Sequence, residues 1–337
     1  MPLRDVSVGL ACAMVAFAVC AVACRILIRV CRDKGFCGPD MNKIGRPPIP
    51  EMGGLAVMAA LIIGSVLFLA LKGTKYPFVT YGALATVLGI ALVGLYDDLK
   101  NLSRGMKAVL PFVLSLPFGY LLYQMSMDSA PGLSILILPY LGRVELGWLL
   151  ILVVPLGITC AANATNMLEG LNGLAGGLSL IIITFLILIA YLRELDDALY
   201  LLFPMAGALA AFLLFNIYPA KIFPGDVLTL STGAVMASAA FLGQLKFVGA
   251  ILLLPMIVEF FLKTLGKLRR VRKKKTGWGH NFGELDLDGR LHHRGEIESL
   301  VHLVLKFRPM KEWQVVAVLW LLEILVGLAA VNYVINL

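Results

Sequence analysis

The chain has 337 residues, of which 60% are hydrophobic and 15% charged, and its mean hydropathy is +0.89. A soluble domain carries about 25% charged residues, so a water-soluble globular fold is excluded and a polytopic membrane protein is implied. The net charge of +8 comes from Lys and Arg flanking apolar runs, with no nucleic-acid-binding module beside them, so nucleic acid is excluded as a partner.

Apolar runs predict ten spans, at about residues 6–28, 53–72, 78–96, 107–126, 146–162, 174–192, 198–217, 227–244, 247–264 and 313–335. The first run is too long for the apolar core of a cleaved signal and ends in basic residues, as a retained span does. Cys12, Cys20, Cys24 and Cys160 lie inside runs, where they serve as small apolar residues. Cys31 and Cys37 lack CxxC spacing, so neither a zinc site nor a disulfide framework is indicated. Pro155, Pro204 and Pro255 also fall inside runs, where neighbouring helices re-satisfy the backbone.

Between the fourth and fifth runs, Ile135-Leu-Ile-Leu-Pro and Gly142-Arg-Val-Glu predict a short β-hairpin at the membrane surface. Between the ninth and tenth, a loop of about residues 266–311 is too short for a domain of its own but long enough to cover a site. The chain therefore reads as one all-α membrane domain over residues 1–337. With the N-terminus outside, only Arg4, Lys72, Lys75, Arg143, Arg193 and Lys246 of the 29 Lys and Arg fall outside. The positive-inside rule selects that orientation, and ten spans return the C-terminus to the outside.

Every unusual polar cluster then falls on the inner face. Asp40-Met-Asn-Lys43 precedes Ile49-Pro-Glu51 at the entrance to the second span, where Glu51 equally suits a helix N-terminal carboxylate. Tyr96-Asp97-Asp98-Leu-Lys-Asn101 closes the third span and Lys107 opens the fourth. Adjacent carboxylates at a membrane boundary repel and call for a cation, a metal or a shared proton; a solvated pair offset by Lys100 and Arg104 is the plainer alternative. Asn163-Ala-Thr-Asn-Met-Leu-Glu-Gly-Leu-Asn-Gly173 joins two runs. Its Asn and Gly residues favour a turn that presents polar backbone to a ligand, or simply an interhelical loop, and Asn163 and Asn166 share a face on any helical turn.

Phe223-Pro-Gly-Asp226 is a turn signal heading the eighth span, and Asp226 can cap that helix. The basic run Lys263–Lys275 is followed by Gly279-His-Asn-Phe-Gly and His292-His-Arg294. Such a run commonly marks topology or anionic lipid, and the paired His residues lack companions for zinc. Taken together, Asp97, Asp98, Asp226 and Asn166 supply hard oxygens that suit Mg2+ over zinc. Lys107 and the basic loop supply charge for phosphates, and Phe223 a ring for a base. Those parts at an inner membrane face suggest a nucleotide-activated substrate and a lipid acceptor.

In these motifs the chain resembles the polyprenyl-phosphate N-acetylhexosamine-1-phosphate transferases, ten-span enzymes with an active site on the cytoplasmic face. The resemblance covers nearly the whole chain and is closest to the dolichyl-phosphate GlcNAc-1-phosphotransferase branch, in an archaeal version. It rests on Cys37-Gly-Pro-Asp-Met-Asn-Lys43 (CGxDxNK), Ile49-Pro-Glu51, Asp97-Asp-Leu-Lys-Asn-Leu102 (DDxxNL) with Lys107, the Asn163–Gly173 loop, and Phe223-Pro-Gly-Asp226. It implies transfer of GlcNAc-1-phosphate from UDP-GlcNAc to polyprenyl or dolichyl phosphate, the first lipid-linked step of glycan assembly. It also implies Asp97, Asp98 and Lys107 as catalytic residues, and Mg2+ (or Mn2+) on Asn166 and Asp226.

Substrate contacts are implied at Glu51, Asn163, Asn172 and Phe223, with Asn172 on the uracil and Phe223 stacked on the base. In the last inner loop they are implied at His280, Arg270 and Arg272. The peptidoglycan branch carries three His in that loop where this chain has His292-His293-Arg294. The alternatives are a family member using another sugar nucleotide, such as UDP-MurNAc-pentapeptide, or a nucleotide-sugar transporter. A transporter would show internal symmetry and midplane polar groups, whereas these clusters sit at span ends. A multi-pass protein follows, in the cell membrane of an archaeon or bacterium or the endoplasmic reticulum of a eukaryote; a homodimer is left open.

Overall fold

The structure is a computed structural model and describes residues 3–138, 142–272 and 282–336. Twelve helices dominate the described residues. They are α1 (Leu3–Lys34), α2 (Gly54–Lys72), α3 (Pro77–Lys100), α4 (Arg104–Asp128), α5 (Leu150–Met167), α6 (Leu174–Leu192), α7 (Leu199–Asn216), α8 (Gly225–Leu242), α9 (Lys246–Leu252), α10 (Leu254–Arg272), α11 (Leu300–Leu305) and α12 (Glu312–Ile335). Among the described residues, nine helices are long and apolar enough to cross a membrane. The protein is a multi-pass, nearly all-helical membrane protein.

The ninth expected span, 247–264, is not one helix. Helices α9 and α10 meet at a 62° bend, two residues before Pro255, whose ring and missing N–H prevent a continuous helix there. The expected hairpin forms as β3 (Ile135–Leu138) paired antiparallel with β4 (Gly142–Glu145). Two further short hairpins, β1 (Cys37–Pro39) with β2 (Pro48–Pro50) and β5 (Glu284–Leu285) with β6 (Leu291–His292), lie in the loops after α1 and α10.

Helix α8 is the hub. Every residue from Val227 to Leu242 is buried, and α8 packs on α3 and α5. Its Ser, Thr, Gly and Ala residues let neighbouring backbones approach closely, which is how helices associate in the absence of a hydrophobic drive from lipid. At Gly94 of α3 a Cβ would stand 2.6 Å from the Asp226 carbonyl oxygen. The ends of α3, α5 and α7 and the starts of α4, α6 and α8 gather at one end of the bundle, each pair joined there by a loop, and the start of α12 meets them through the bond from the Asn172 N–H to Glu312.

Candidate active site

At that end the Phe223-Pro-Gly-Asp226 turn anchors the geometry. Phe223 N–H donates to the Pro50 carbonyl at 2.7 Å, and Gly53 N–H donates to the Phe223 carbonyl at 2.9 Å, so the turn is stitched to β2 and the start of α2. Gly225 has φ +70°, and a Cβ there would lie 2.7 Å from the Asp98 carboxylate; only glycine meets both demands. The space it leaves is used by Asp98. That carboxylate accepts the backbone N–H of Asp226 at 2.7 Å and of Val227 at 3.3 Å, capping the N-terminus of α8 from another helix.

The neighbouring acid faces elsewhere. Asp97 is buried, accepts the Leu102 N–H at 2.6 Å and forms an ion pair with Lys107. Lys107 Nζ also donates to Asp226 at 2.8 Å. The other Asp226 oxygen accepts from the Asn166 amide, which in turn donates to Thr229 Oγ1 at 3.0 Å. Helix α5 continues through Met167, so Asn163 and Asn166 lie on its last turns rather than in a loop. Asn163 donates to the Lys107 carbonyl at 3.2 Å and to the Thr159 carbonyl at 2.9 Å; it ties α5 to α4. One lysine thus joins two carboxylates, and four helices converge on Asp226.

These groups fit a small hard cation. No three His, Cys, Asp or Glu converge as a metal cluster among the described residues, and Asp226 and Asn166 are the two residues of the knot that could hold a metal ion. Asp226 and Asn166 are adjacent oxygen donors, and turning the Asn166 amide over places Oδ1 where its nitrogen now meets Asp226. The Lys107 ammonium on the second oxygen shows that this carboxylate already accommodates positive charge. Two oxygen donors with the remaining positions left to phosphate and water is the usual arrangement for Mg2+.

Around this knot lie the other expected residues. Glu51 is exposed at the residue level, and partial desolvation of its carboxyl, with the charge of Asp98, raises its pKa. Glu169, which the sequence reading assigned no role, reaches the surface in part. The protein packed around it, then the charges of Asp226, Asp98 and Glu51, raise its carboxyl pKa to about 8. Asn172 is buried. Asn216, also unassigned from sequence, accepts the Gly173 N–H at 3.1 Å and donates to the Ile222 carbonyl at 2.9 Å, so one amide ties the neighbour of Asn172 to the neighbour of Phe223. As a lone Asn ending an apolar run, it carried no distinguishing signal.

The loop side is different. Arg270 makes two hydrogen bonds to Glu298, at 2.7 and 2.8 Å, and lines a cavity of about 320 Å3 with Arg269, His293, Arg294 and His302. It makes no contact with the Asp226 group among the described residues. Arg272 closes α10, and His280 lies outside the described residues. Lys263 pairs with Glu259 at 3.0 Å and donates to the Met167 carbonyl, and Glu259 accepts the Leu300 N–H at 2.6 Å. That chain of contacts fastens the loop to the end of α5.

Residues 80–244 match the model of glycosyl transferase family 4, a segment running from α3 through α8 that includes the whole knot. A Sulfolobus acidocaldarius protein provisionally named as a UDP-N-acetylglucosamine–dolichyl-phosphate N-acetylglucosaminephosphotransferase is 34% identical over 327 residues, covering 95% of this chain and 94% of its own. The chain belongs to glycosyl transferase family 4. A Saccharolobus solfataricus relative with the same provisional name is 34% identical over 321 residues, 94% of each chain. A Streptococcus equi phospho-N-acetylmuramoyl-pentapeptide-transferase is 30% identical over 332 residues, 94% of this chain and 95% of its own. This family 4 member therefore matches the sugar-phosphate transferases along nearly its full length.

Proposed function

We propose that the protein transfers GlcNAc-1-phosphate from UDP-GlcNAc to dolichyl or another polyprenyl phosphate, releasing UMP. The observation that carries this reading is the Asp97–Lys107–Asp226–Asn166 knot at one end of a membrane bundle, in a chain whose more similar archaeal relatives are named for that reaction. The pentapeptide transferases are similar at lower identity, which favours GlcNAc as the sugar.

In the reaction an oxygen of the lipid phosphate attacks the phosphorus that bears GlcNAc. The bond from that phosphorus to the bridging oxygen breaks, and UMP leaves with the oxygen. Catalysis of this kind is mostly positioning and charge neutralisation. Asp226 and Asn166 would hold Mg2+, which when bound supplies Lewis-acid stabilisation of phosphate oxygens. Lys107 is placed to meet a phosphate at the same spot. Asp97 holds the Lys107 ammonium and acts through it: a phosphomonoester is already largely ionised near neutral pH, with its second pKa at about 6, so little base strength is required of Asp97. Asp98 fixes the α8 N-terminus and hence Asp226. Phe223 and Asn172, joined through Asn216, form the base-binding side. The charge asymmetry of the loops supports a cytoplasmic orientation for this end.

The test is incubation of membranes containing the protein with radiolabelled UDP-GlcNAc and dolichyl phosphate. A lipid-extractable labelled product and UMP are expected, dependent on Mg2+ and absent with UDP-MurNAc-pentapeptide as donor. Failure to form the lipid product, or preference for the pentapeptide donor, would overturn the assignment.

A further inference from the structure

The Asp40-Met-Asn-Lys43 motif stands apart from the carboxylate–lysine knot, yet its charged residues are withdrawn from solvent. Asp40 is 4% exposed. Its Oδ2 accepts from the Asn172 side-chain nitrogen at 3.0 Å and lies 3.3 Å from Lys43 Nζ. Lys43 also pairs with Glu312, and its ammonium sits 4.2 Å from the centre of the Tyr218 ring. Glu312, only 2% exposed, accepts the backbone N–H of Asn172 at 2.6 Å. Asn172 is therefore held twice, by Glu312 at its main chain and by Asp40 at its amide, and the two acids share one lysine.

A carboxylate can only accept hydrogen bonds, whereas an amide has one donor end and one acceptor end. The end of Asn172 that faces Asp40 must be the nitrogen. Turning the amide over would press its oxygen against a buried carboxylate, a contact that leaves both acceptors unpaired. Lys43 and Glu312 keep Asp40 from moving aside. Among the described residues no donor occupies Asn172 Oδ1. A ligand on that edge thus meets a carbonyl oxygen and the second N–H in a fixed order.

We propose that Asp40 is a specificity-determining residue. By fixing the Asn172 amide it makes the site accept a base with an imide N–H beside a carbonyl, as in uracil, and reject cytosine. Uracil donates N3–H to Oδ1 and accepts the second amide N–H on a carbonyl oxygen. Cytosine offers a ring-nitrogen acceptor beside an amino donor and needs the opposite amide. The proposal rests on the reading of Asn172 as a base contact.

The test compares UDP-GlcNAc with CDP-GlcNAc as donors for the full-length wild type, Asp40→Ala, Asp40→Asn and Asn172→Ala. Asp40→Ala is expected to narrow the uracil-over-cytosine ratio of kcat/KM by about 10-fold through the two KM values, the scale of one charge-assisted hydrogen bond. Asp40→Asn, whose side-chain oxygen still accepts from Asn172, should keep most of the ratio. Equal proportional losses with both donors in Asp40→Ala would make Asp40 merely structural and overturn the proposal. An unchanged KM for UDP-GlcNAc in Asn172→Ala overturns the base contact itself; a raised KM there with an unchanged ratio in Asp40→Ala overturns only the role of Asp40. If Asp40→Ala does not fold, inhibition of the wild type decides. UMP is expected to inhibit about 10-fold better than CMP or N3-methyl-UMP, because a site built for a donor leaves its polar groups unpaired against the wrong base, and equal inhibition by all three overturns the proposal.

Discussion

The two ends of the bundle carry the same residue types and do opposite things with them. At one end Lys107 joins Asp97, 3% exposed, to Asp226, 19% exposed, and backbone and amide donors engage both carboxylates. At the other, Lys72 meets Asp196 at 2.9 Å with side chains 24% and 48% exposed. These residues border the larger cavity, about 400 Å3, with Thr74, Tyr76, Asp197 and Tyr200. Desolvation and the number of fixed partners separate a site from a surface: a charge held by several helices cannot relax toward water, whereas an exposed pair can.

The largest test of that contrast is Asp226→Ala. Transfer should fall by at least about 10²–10³-fold, as for removal of a principal charge-stabilising group, while the protein still elutes as a folded species in detergent. Steady-state rates and gel filtration check this, and near-normal rates would remove Asp226 from the reaction. Lys107→Met follows. It should depress the rate and also leave Asp97 buried without its cation, costing about 3–5 kcal/mol of stability. The double variant Lys107→Met/Asp97→Asn should recover the melting temperature but not the rate; recovery of both would make the pair purely structural.

Asp98→Asn tests the shared helix cap. The side chain still accepts one backbone N–H but loses its charge at the α8 N-terminus, so about 1 kcal/mol of stability should be lost. Asp226 should drift with it, seen as a higher Mg2+ requirement under conditions where both the variant and the wild type remain folded.

The smallest effects belong to the opposite end. Burial, and then the charge of Asp196, raise the Asp197 carboxyl pKa. The folded state therefore holds this proton more tightly than the unfolded chain, and the resulting stability, complete at low pH, is lost as pH rises from the ordinary carboxylate value through the raised one. Asp197→Asn should flatten that decline in a melting-temperature series while leaving transfer at wild-type rates. Lys72→Ala should change stability by only about 0–1 kcal/mol. A marked loss of activity in either variant would erase the distinction between the ends.

How much of this was readable follows from the range of the interactions. Hydropathy counts and turn residues are local, and they gave the spans, the β3–β4 hairpin and every motif of the knot. Helical periodicity sets the side chains of adjacent residues such as Asp97 and Asp98 about 100° apart. It could not say that Asp97 takes Lys107 while Asp98 takes the backbone of Asp226, because that partner lies 128 residues away. Asn163, expected as a substrate contact, also donates to the Lys107 carbonyl, because helix α5 runs about one turn further than its apolar pattern. Arg270, expected as a substrate contact, pairs with Glu298, a partner 28 positions along the chain.

The amino-acid sequence by itself determined a membrane-spanning helical bundle, the set of polar groups at its span ends and the family to which they belong, since each depends on residue type and short spacing. Only the tertiary structure decided the division of labour in the Asp97–Asp98 pair and the joining of Asp40, Lys43 and Glu312 around Asn172. Lys43 and Glu312 are 269 positions apart, and contacts at that range are set by how helices pack, which no local pattern encodes.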